Sequence, residues 1–386
     1  MRPRLWPLAL GTFAIGFGSN VVTGLLPTMA GELDVSLADI GRLVSFYGVA
    51  YAISTPLVAL FGGRLPRRAL MLTALALFAI ACVATALATD YSTIAVVRAL
   101  SAIAAGGFTP TATVLASRLA APGERGRALA TVFGGLTTAA VVAAPVGNIL
   151  GPVLGYRGVY LITAGLAAVA FVAVFLLVAK PGSDLLERAT AAAAGSRGFP
   201  SPLVALVLLV SMLETVAAFT VQTYASPLLT AVSGADGLSL SVLLLCYGAA
   251  GVVGNIAGGR MADLLGAART LWICFFGCTM ALVLLPFAGT TLVGAGAVFA
   301  VWGFLAWAAN SPLQGMLIQL AGRHGQLVVA LNSSVIALGT AGGAIIGGTI
   351  IASGNVLALA YWGAGIMGLA VVVVSVLATN RRIART

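Results

Sequence analysis

Leu25-Leu26-Pro27, Tyr47-Gly48 and Gly62-Gly63-Arg64 recur in the same order as Ser226-Pro227-Leu228, Tyr247-Gly248 and Gly258-Gly259-Arg260. The prolines and the Tyr-Gly pairs lie 200 positions apart, and the Gly-Gly-Arg triplets 196. Three landmarks at a nearly constant offset read as duplication of half the chain. Any one of them alone could arise as a chance match of small residues in an apolar sequence.

The surrounding composition says what was duplicated. The chain has 386 residues, 60% hydrophobic and only 8% charged, with a mean hydropathy of +1.10. Soluble domains carry about 25% charged residues, so this is no water-exposed globule. A helix crosses a bilayer in about 20 apolar residues, which gives room for roughly a dozen crossings. The segments are apolar all round and rich in Gly and Ala, unlike the alternating strands of an outer-membrane barrel. The expected class is therefore an all-α, multi-pass membrane protein.

Charges, prolines and glycines divide the apolar sequence near 5–30, 41–61, 69–89, 93–117, 127–150 and 158–179. A second set follows near 203–230, 240–262, 270–287, 291–316, 326–352 and 357–378. The polar stretch between the sets divides the chain into an N-terminal bundle (1–179), a linker (180–202) and a C-terminal bundle (203–386). With twelve spans, seventeen of the twenty basic residues fall on the side of the N-terminus. Arg42 and Arg157 fall on the other side, and Arg98 falls within a span. Lys and Arg accumulate in cytoplasmic loops, so both termini are expected in the cytoplasm. The same rule accounts for the net charge of +10 without nucleic-acid binding. The apolar run after Met1-Arg2-Pro3-Arg4 continues to Met29, too long for a signal peptide, and reads as a retained first span.

Gly147, Gly151 and Gly155 in the fifth segment, and Gly339, Gly343 and Gly347 in the eleventh, are spaced by four. That spacing keeps them on one helix face, where backbones can approach closely. Pro145 lacks a backbone donor and is expected to bend the fifth helix. Two ionisable residues stand deep in apolar segments, Arg98 and Glu214. Each costs about 2.5–3.5 kcal/mol at a bilayer centre, so each should face a cavity or a partner. Arg98 reads either as a coupling residue or as a charge bonded to helix carbonyls, and Glu214 either as a proton carrier or as a permanently protonated acid.

Uncharged polar residues suggest a binding site built from both halves: Ser19, Asn20, Thr23, Tyr47, Tyr51, Thr109, Thr113 and Asn148, with Gln222, Tyr224, Tyr247, Asn255, Asn310, Gln314 and Asn332. Trp302 and Trp307 would supply flat apolar walls. Taken singly, each polar residue is more often an interhelical hydrogen bond than a ligand contact. Cys82, Cys246, Cys274 and Cys278 lie in apolar runs without histidine or acid beside them and read as packing residues, not a metal site. No Walker-type phosphate loop occurs, so an ion gradient is the expected energy source, with no cofactor.

Several stretches resemble those of the major facilitator superfamily, specifically its twelve-helix drug:proton antiporter branch of bacterial sugar-efflux, nucleoside-efflux and chloramphenicol-resistance permeases. They are Gly24-Leu25-Leu26-Pro27, Leu65-Pro66-Arg67-Arg68, Arg98 with Gly106-Gly107, and Pro122-Gly123-Glu124-Arg125-Gly126-Arg127. Ala144-Pro145-Val146-Gly147, Tyr224-Ala225-Ser226-Pro227 and Gly254-Asn255 through Asp263 complete the set. The resemblance implies two pseudo-symmetric six-helix bundles that open a central site to one face at a time. It also implies Gly63, Arg67, Arg68, Pro145, Gly147, Gly151, Gly259, Asp263 and Arg269 as gating residues, with Glu214 and Arg98 as proton-coupling residues. The first copy of the duplicated loop lacks the family's Asp, whereas the second keeps Asp263 with Arg269 nearby, so an asymmetric latch is expected. Ser19-Asn20 stands where many such permeases have an acid, which leaves Glu214 as the proton candidate.

The expected function is export of a small drug-, sugar- or nucleoside-like solute in exchange for protons, in a bacterial inner membrane. The chain is expected to act as a monomer, with the solute and the lipid bilayer as its partners. An importer or facilitator on the same fold, and a membrane sensor or scaffold, are the other readings.

Overall fold

The computed structural model describes residues 5–61, 66–120, 125–178, 202–321 and 325–378, and these are helical apart from short connections. A bilayer offers no water to satisfy backbone groups, and a helix satisfies them within the segment. The N-terminal half comprises α1 (Trp6–Leu33), α2 (Leu37–Phe61), α3 (Arg67–Leu87), α4 (Tyr91–Leu119) and α5 (Arg125–Leu177). The C-terminal half comprises α6 (Pro202–Gln222), α7 (Ala225–Ser233), α8 (Gly237–Leu265), α9 (Ala267–Ala288), α10 (Leu292–Ala308), α11 (Asn310–Ala321), α12 (Gly325–Ala352) and α13 (Ala358–Ala378). The linker at 180–201 and the loop holding Gly63 and Arg64 lie outside the described residues.

Among the described residues, ten helical stretches are long and apolar enough to cross a membrane, with α10 and α11 forming one of them. The 53-residue α5 is one of the ten but crosses twice, because its helix breaks at Gly155. The 25-residue α2, also apolar over most of its length, completes the twelve. The break is pinned on both sides. Gly155 adopts φ 67 and ψ 171, a conformation essentially reserved for glycine. The next residue, Tyr156, donates its N–H to Glu32 at 3.2 Å and its hydroxyl to the Ala88 carbonyl at 2.7 Å. Pro145, expected to bend this helix, sits within helical dihedrals, and the single non-helical residue is Gly155. A proline's freed carbonyl can be absorbed by gentle curvature, whereas a φ of 67 reverses the chain.

The glycine stripes glue each half together in the same way. Along α1, Cβ atoms on Gly147 and Gly151 would lie 2.8 Å from the Val21 carbonyl and 2.7 Å from the Thr28 hydroxyl. Along α6, Cβ atoms on Gly343 and Gly347 would each lie 2.6 Å from a carbonyl, that of Val216 or Thr220. Only glycine lets these backbones come so close. The equivalent helix pairs of the duplicated halves thus mate by equivalent seams, inside each half rather than between them.

The halves meet along α2 against α12 and α5 against α8. Ser45 donates to the Ala341 carbonyl at 2.9 Å, and Ser334 to that of Ala52 at 3.2 Å. Asn148 donates both to the Gly237 carbonyl and to the Ser241 hydroxyl, each at 2.8 Å. Ser226 reaches the Thr23 carbonyl at 3.4 Å. These bonds run from the middle of the helices to the face formed by the connections at 34–36, 88–90, 234–236, 289–291 and 353–357. Among the described residues, no hydrogen bond joins the halves nearer the face of the N-terminus. Among the described residues, the hydrogen bonds that close the molecule lie toward one face.

On the closed face, Asp90 caps α4 by accepting the Thr93 N–H at 2.8 Å. Hydrogen bonds from Thr93 hold its carboxyl below the usual value. A folded-state value below the unfolded one, about 3.9, means that the cap contributes fully above that pH. The contribution disappears as pH falls through the lowered folded value. Asp90→Asn should therefore lower the melting temperature slightly at pH 7 and progressively less as the pH falls below about 4, as thermal melts across that range would register.

Candidate transport site

At the junction of the halves lies a cavity lined by Asn20 and Thr23 of α1, Ala140, Val141, Ala144 and Pro145 of α5, Gln222 of α6, Ala225 of α7, Leu244 and Tyr247 of α8 and Phe299 of α10. Four expected binding residues, Asn20, Thr23, Gln222 and Tyr247, come together there, two from each half. Pro145, expected to gate, lines it as well. Asn20 is oriented by donating its side-chain NH₂ to the Gly16 carbonyl at 2.8 Å and to the Ser19 hydroxyl at 3.1 Å. That arrangement leaves its amide oxygen free to accept. Phe299, Leu244, Val141 and the alanines carry no signal in the sequence, because apolar residues in an apolar chain look alike until the helices are oriented.

Behind the N-terminal wall stands Arg98, only 2% exposed. It donates to the Gly18 carbonyl at 2.8 Å and to that of Ser19 at 3.3 Å, and lies 4.7 Å from the centre of the Tyr47 ring. Arg98 is thus bonded to helix carbonyls, as one of its two readings has it, and it lies against the ring of the half-exposed Tyr47. Tyr47 stacks on Tyr51 with ring centres 6.3 Å apart. The Tyr51 hydroxyl faces those of Thr55 and Thr109. Among the described residues, Arg98 has no carboxylate partner.

In the C-terminal half, Glu214 accepts from the neighbouring Thr215 hydroxyl at 3.1 Å and remains half-exposed although it sits mid-span. Its side chain therefore faces accessible space rather than a packed core. Tyr247 packs against Trp302 at 4.8 Å and Phe299 at 5.9 Å between ring centres. Trp302 lies wholly behind this pair, 1% exposed, and Trp307 lies against Gly251 of α8.

Other expected binding residues lie elsewhere. Asn332, 1% exposed, accepts from Ser211 at 2.7 Å and joins α12 to α6. Asn148 clasps the two halves, and Tyr224 is fully buried between helices with its hydroxyl on the Ala344 carbonyl at 3.0 Å. Thr109 is buried beside Tyr51, Gln314 is half-buried on α11, and Asn310 is exposed at the start of that helix. All are polar groups in spans, and helix–helix hydrogen bonding uses the same residue types as ligand binding.

The expected gating residues divide similarly. Arg68 donates to the Phe175 carbonyl and stacks over the Phe175 ring at 5.3 Å, tying α3 to the end of α5, and Arg67 beside it is half-buried. Asp263 and Arg269 are both exposed, and they form no ion pair with each other. Gly259 has room beside it, whereas a Cβ on Gly258 would meet the Ala308 backbone, with the Ala308 carbonyl carbon 2.7 Å away. The glycine that α8 requires is the first of the pair.

The family model described as Major Facilitator Superfamily matches residues 8–328. The chain belongs to the Major Facilitator Superfamily. This transporter is 31% identical over 373 residues to the inner membrane transport protein YdhP of Escherichia coli (strain K12), covering 96% of this chain and 94% of that protein. It is 29% identical over 378 residues to a chloramphenicol resistance protein of Streptomyces lividans, covering 94% and 93%. Its fold matches the crystal structure of a bacterial homologue of the human lysosomal transporter Spinster, in an inward-facing and occupied conformation, with a TM-score of 0.76 and 15% identity over 96% of this chain and 94% of that one. The chain is thus a multi-pass membrane transporter of the twelve-helix major facilitator fold.

Proposed function

We propose that this transporter exports a small, largely neutral or amphipathic organic solute across a bacterial inner membrane in exchange for protons. The observation that carries the proposal is the cavity, which takes uncharged hydrogen-bonding groups from both halves and an aromatic wall from the C-terminal half, and whose lining includes no ionised side chain. Amides, hydroxyls and an aromatic ring suit a neutral polar solute with an apolar body. The likeness to a chloramphenicol resistance protein supports export of such solutes.

Glu214 is the proton carrier in this reading, because it is the carboxylate deep within a span and it faces accessible space. With both termini in the cytoplasm, as the distribution of basic residues favours, the closed face is extracytoplasmic and the transporter rests inward-facing. The proton gradient then supplies the energy, and the cavity is exposed to each side in turn. Everted vesicles separate this function from import or facilitated diffusion. Solute should accumulate inside them only while their lumen is acidic, and equal uptake with and without a pH gradient would favour a facilitator.

A further inference from the structure

The two copies of the duplicated motif use their prolines differently. Pro27 lies inside α1, where its missing N–H leaves the Thr23 carbonyl without its usual partner four residues on. The helix continues, and that carbonyl is met from the opposite half by the Ser226 hydroxyl at 3.4 Å. Pro227 likewise leaves the Thr223 carbonyl without its usual partner, and there the helix breaks. The first segment ends at Gln222, the next begins at Ala225, and Tyr224 sits between them at φ −112 and ψ 27. The counterpart of Tyr224, 200 positions earlier, is Gly24. The C-terminal copy therefore carries a large side chain at a helix joint where the N-terminal copy has none.

The phenol of Tyr224 lies in a slot made by glycines on two helices. Its ring is against Gly347, where a Cβ would lie 2.7 Å from the ring carbons, and its oxygen is 2.8 Å from a Cβ built on Gly348. Its hydroxyl donates to the Ala344 carbonyl at 3.0 Å. The far wall of the slot is Gly41 of α2, in the other half, where a methyl group would fall on the phenol oxygen itself. The side chain is 0% exposed and bridges the seam at the closed face.

We propose that Tyr224 is the bolt of the gate at this face. The phenol seated in the Gly41 notch holds the halves together, and the face opens by swinging the short α7 segment about the Thr223–Tyr224 joint. Tyr224 then acts on transport as a positioning residue and does not touch the solute. The proposal rests on alternating access of the cavity.

Gly41→Ala tests it with the fold intact, because the methyl meets the tip of a side chain that can swing away, not a backbone. In liposomes, spin labels on residues 35 and 355 of the full chain should report an open-to-closed ratio raised more than about tenfold by this change, the scale of an overpacked contact. Tyr224→Phe keeps the ring and loses the bond to Ala344, and should raise the ratio by up to about tenfold. A disulfide between Ala38→Cys and Gly348→Cys, which face each other across the same seam, should arrest transport until it is reduced. A wild type that opens this face, beside variants with unchanged populations, would overturn the bolt alone. A wild type that transports without ever opening this face would reject alternating access itself.

Discussion

Glu214→Gln transporter should carry solute down its own gradient and fail to accumulate it against one when a pH gradient is the driving force. Glutamine keeps the size of the side chain and can still accept from the Thr215 hydroxyl, now at 3.1 Å from the carboxylate. It cannot take up or release a proton, so the local structure survives while the exchange partner is lost. Coupling free energies commonly amount to between about 5- and 150-fold in the affected equilibrium, and gradient-driven accumulation should fall by that order. Solute exchange without a gradient should stay within about twofold, since the cavity lining of Asn20, Thr23, Gln222 and Tyr247 is untouched. Measuring both fluxes in the same vesicles keeps a coupling defect distinct from a folding defect. Full accumulation by Glu214→Gln would move the proton site away from this residue.

Gly24→Ala should be among the most destabilising single methyl groups that can be added. Where α1 crosses α5, that Cβ would sit on the Ala144 carbonyl group, 2.8 Å from its carbon and 2.9 Å from the Asn148 nitrogen. Both neighbours are backbone, so no rotamer change relieves the contact and the helices must part. Overpacking costs about 1–3 kcal/mol, and this site belongs at the upper end because the seam runs the length of both helices. Gly165→Ala in α5 is the matching control, since nothing lies within 4 Å of its Cβ. There the helix should gain stability, as alanine exceeds glycine by up to about 1 kcal/mol in a helix interior. The two changes are chemically identical and should move the melting temperature in opposite directions. Equal melting of the purified variants would mean that the α1–α5 seam is not a close-packed one.

Both expectations bear on the same division of labour within the molecule. The seams inside each half are built of glycine against carbonyl, which makes each half stiff. The contact between halves adds hydrogen bonds from Ser45, Asn148, Ser226 and Ser334 and the Tyr224 slot, and it too brings glycine against a carbonyl, at Gly48 against Ala337. Stiff halves that meet through separable side-chain bonds are suited to rocking. Asp263 and Arg269, expected in a latch at the other face, are exposed, and among the described residues they form no ion pair.

The twelve crossings, the duplication and the helical class were determined by the sequence alone. Hydropathy over about 20 residues and the sidedness of arginine are one-dimensional properties, and tertiary contacts do not alter them. The isolated charges Arg98 and Glu214 were legible for the same reason. Only the tertiary structure decided what the polar residues do. Asn20 and Asn148 are the same amino acid in equivalent surroundings, yet one lines the cavity and the other clasps the halves. Tyr247 faces the cavity, whereas Tyr224, also within an apolar segment, fills a slot between helices. The connection between the fifth and sixth spans is a single glycine, Gly155, and of the Gly258-Gly259 pair only the first packs tightly against a backbone. In a bilayer every polar side chain needs a partner, and a neighbouring helix serves as well as a solute. Which of them it meets depends on how each helix is rotated about its axis and on which face of the molecule is closed, and those are set by packing between segments far apart in the chain.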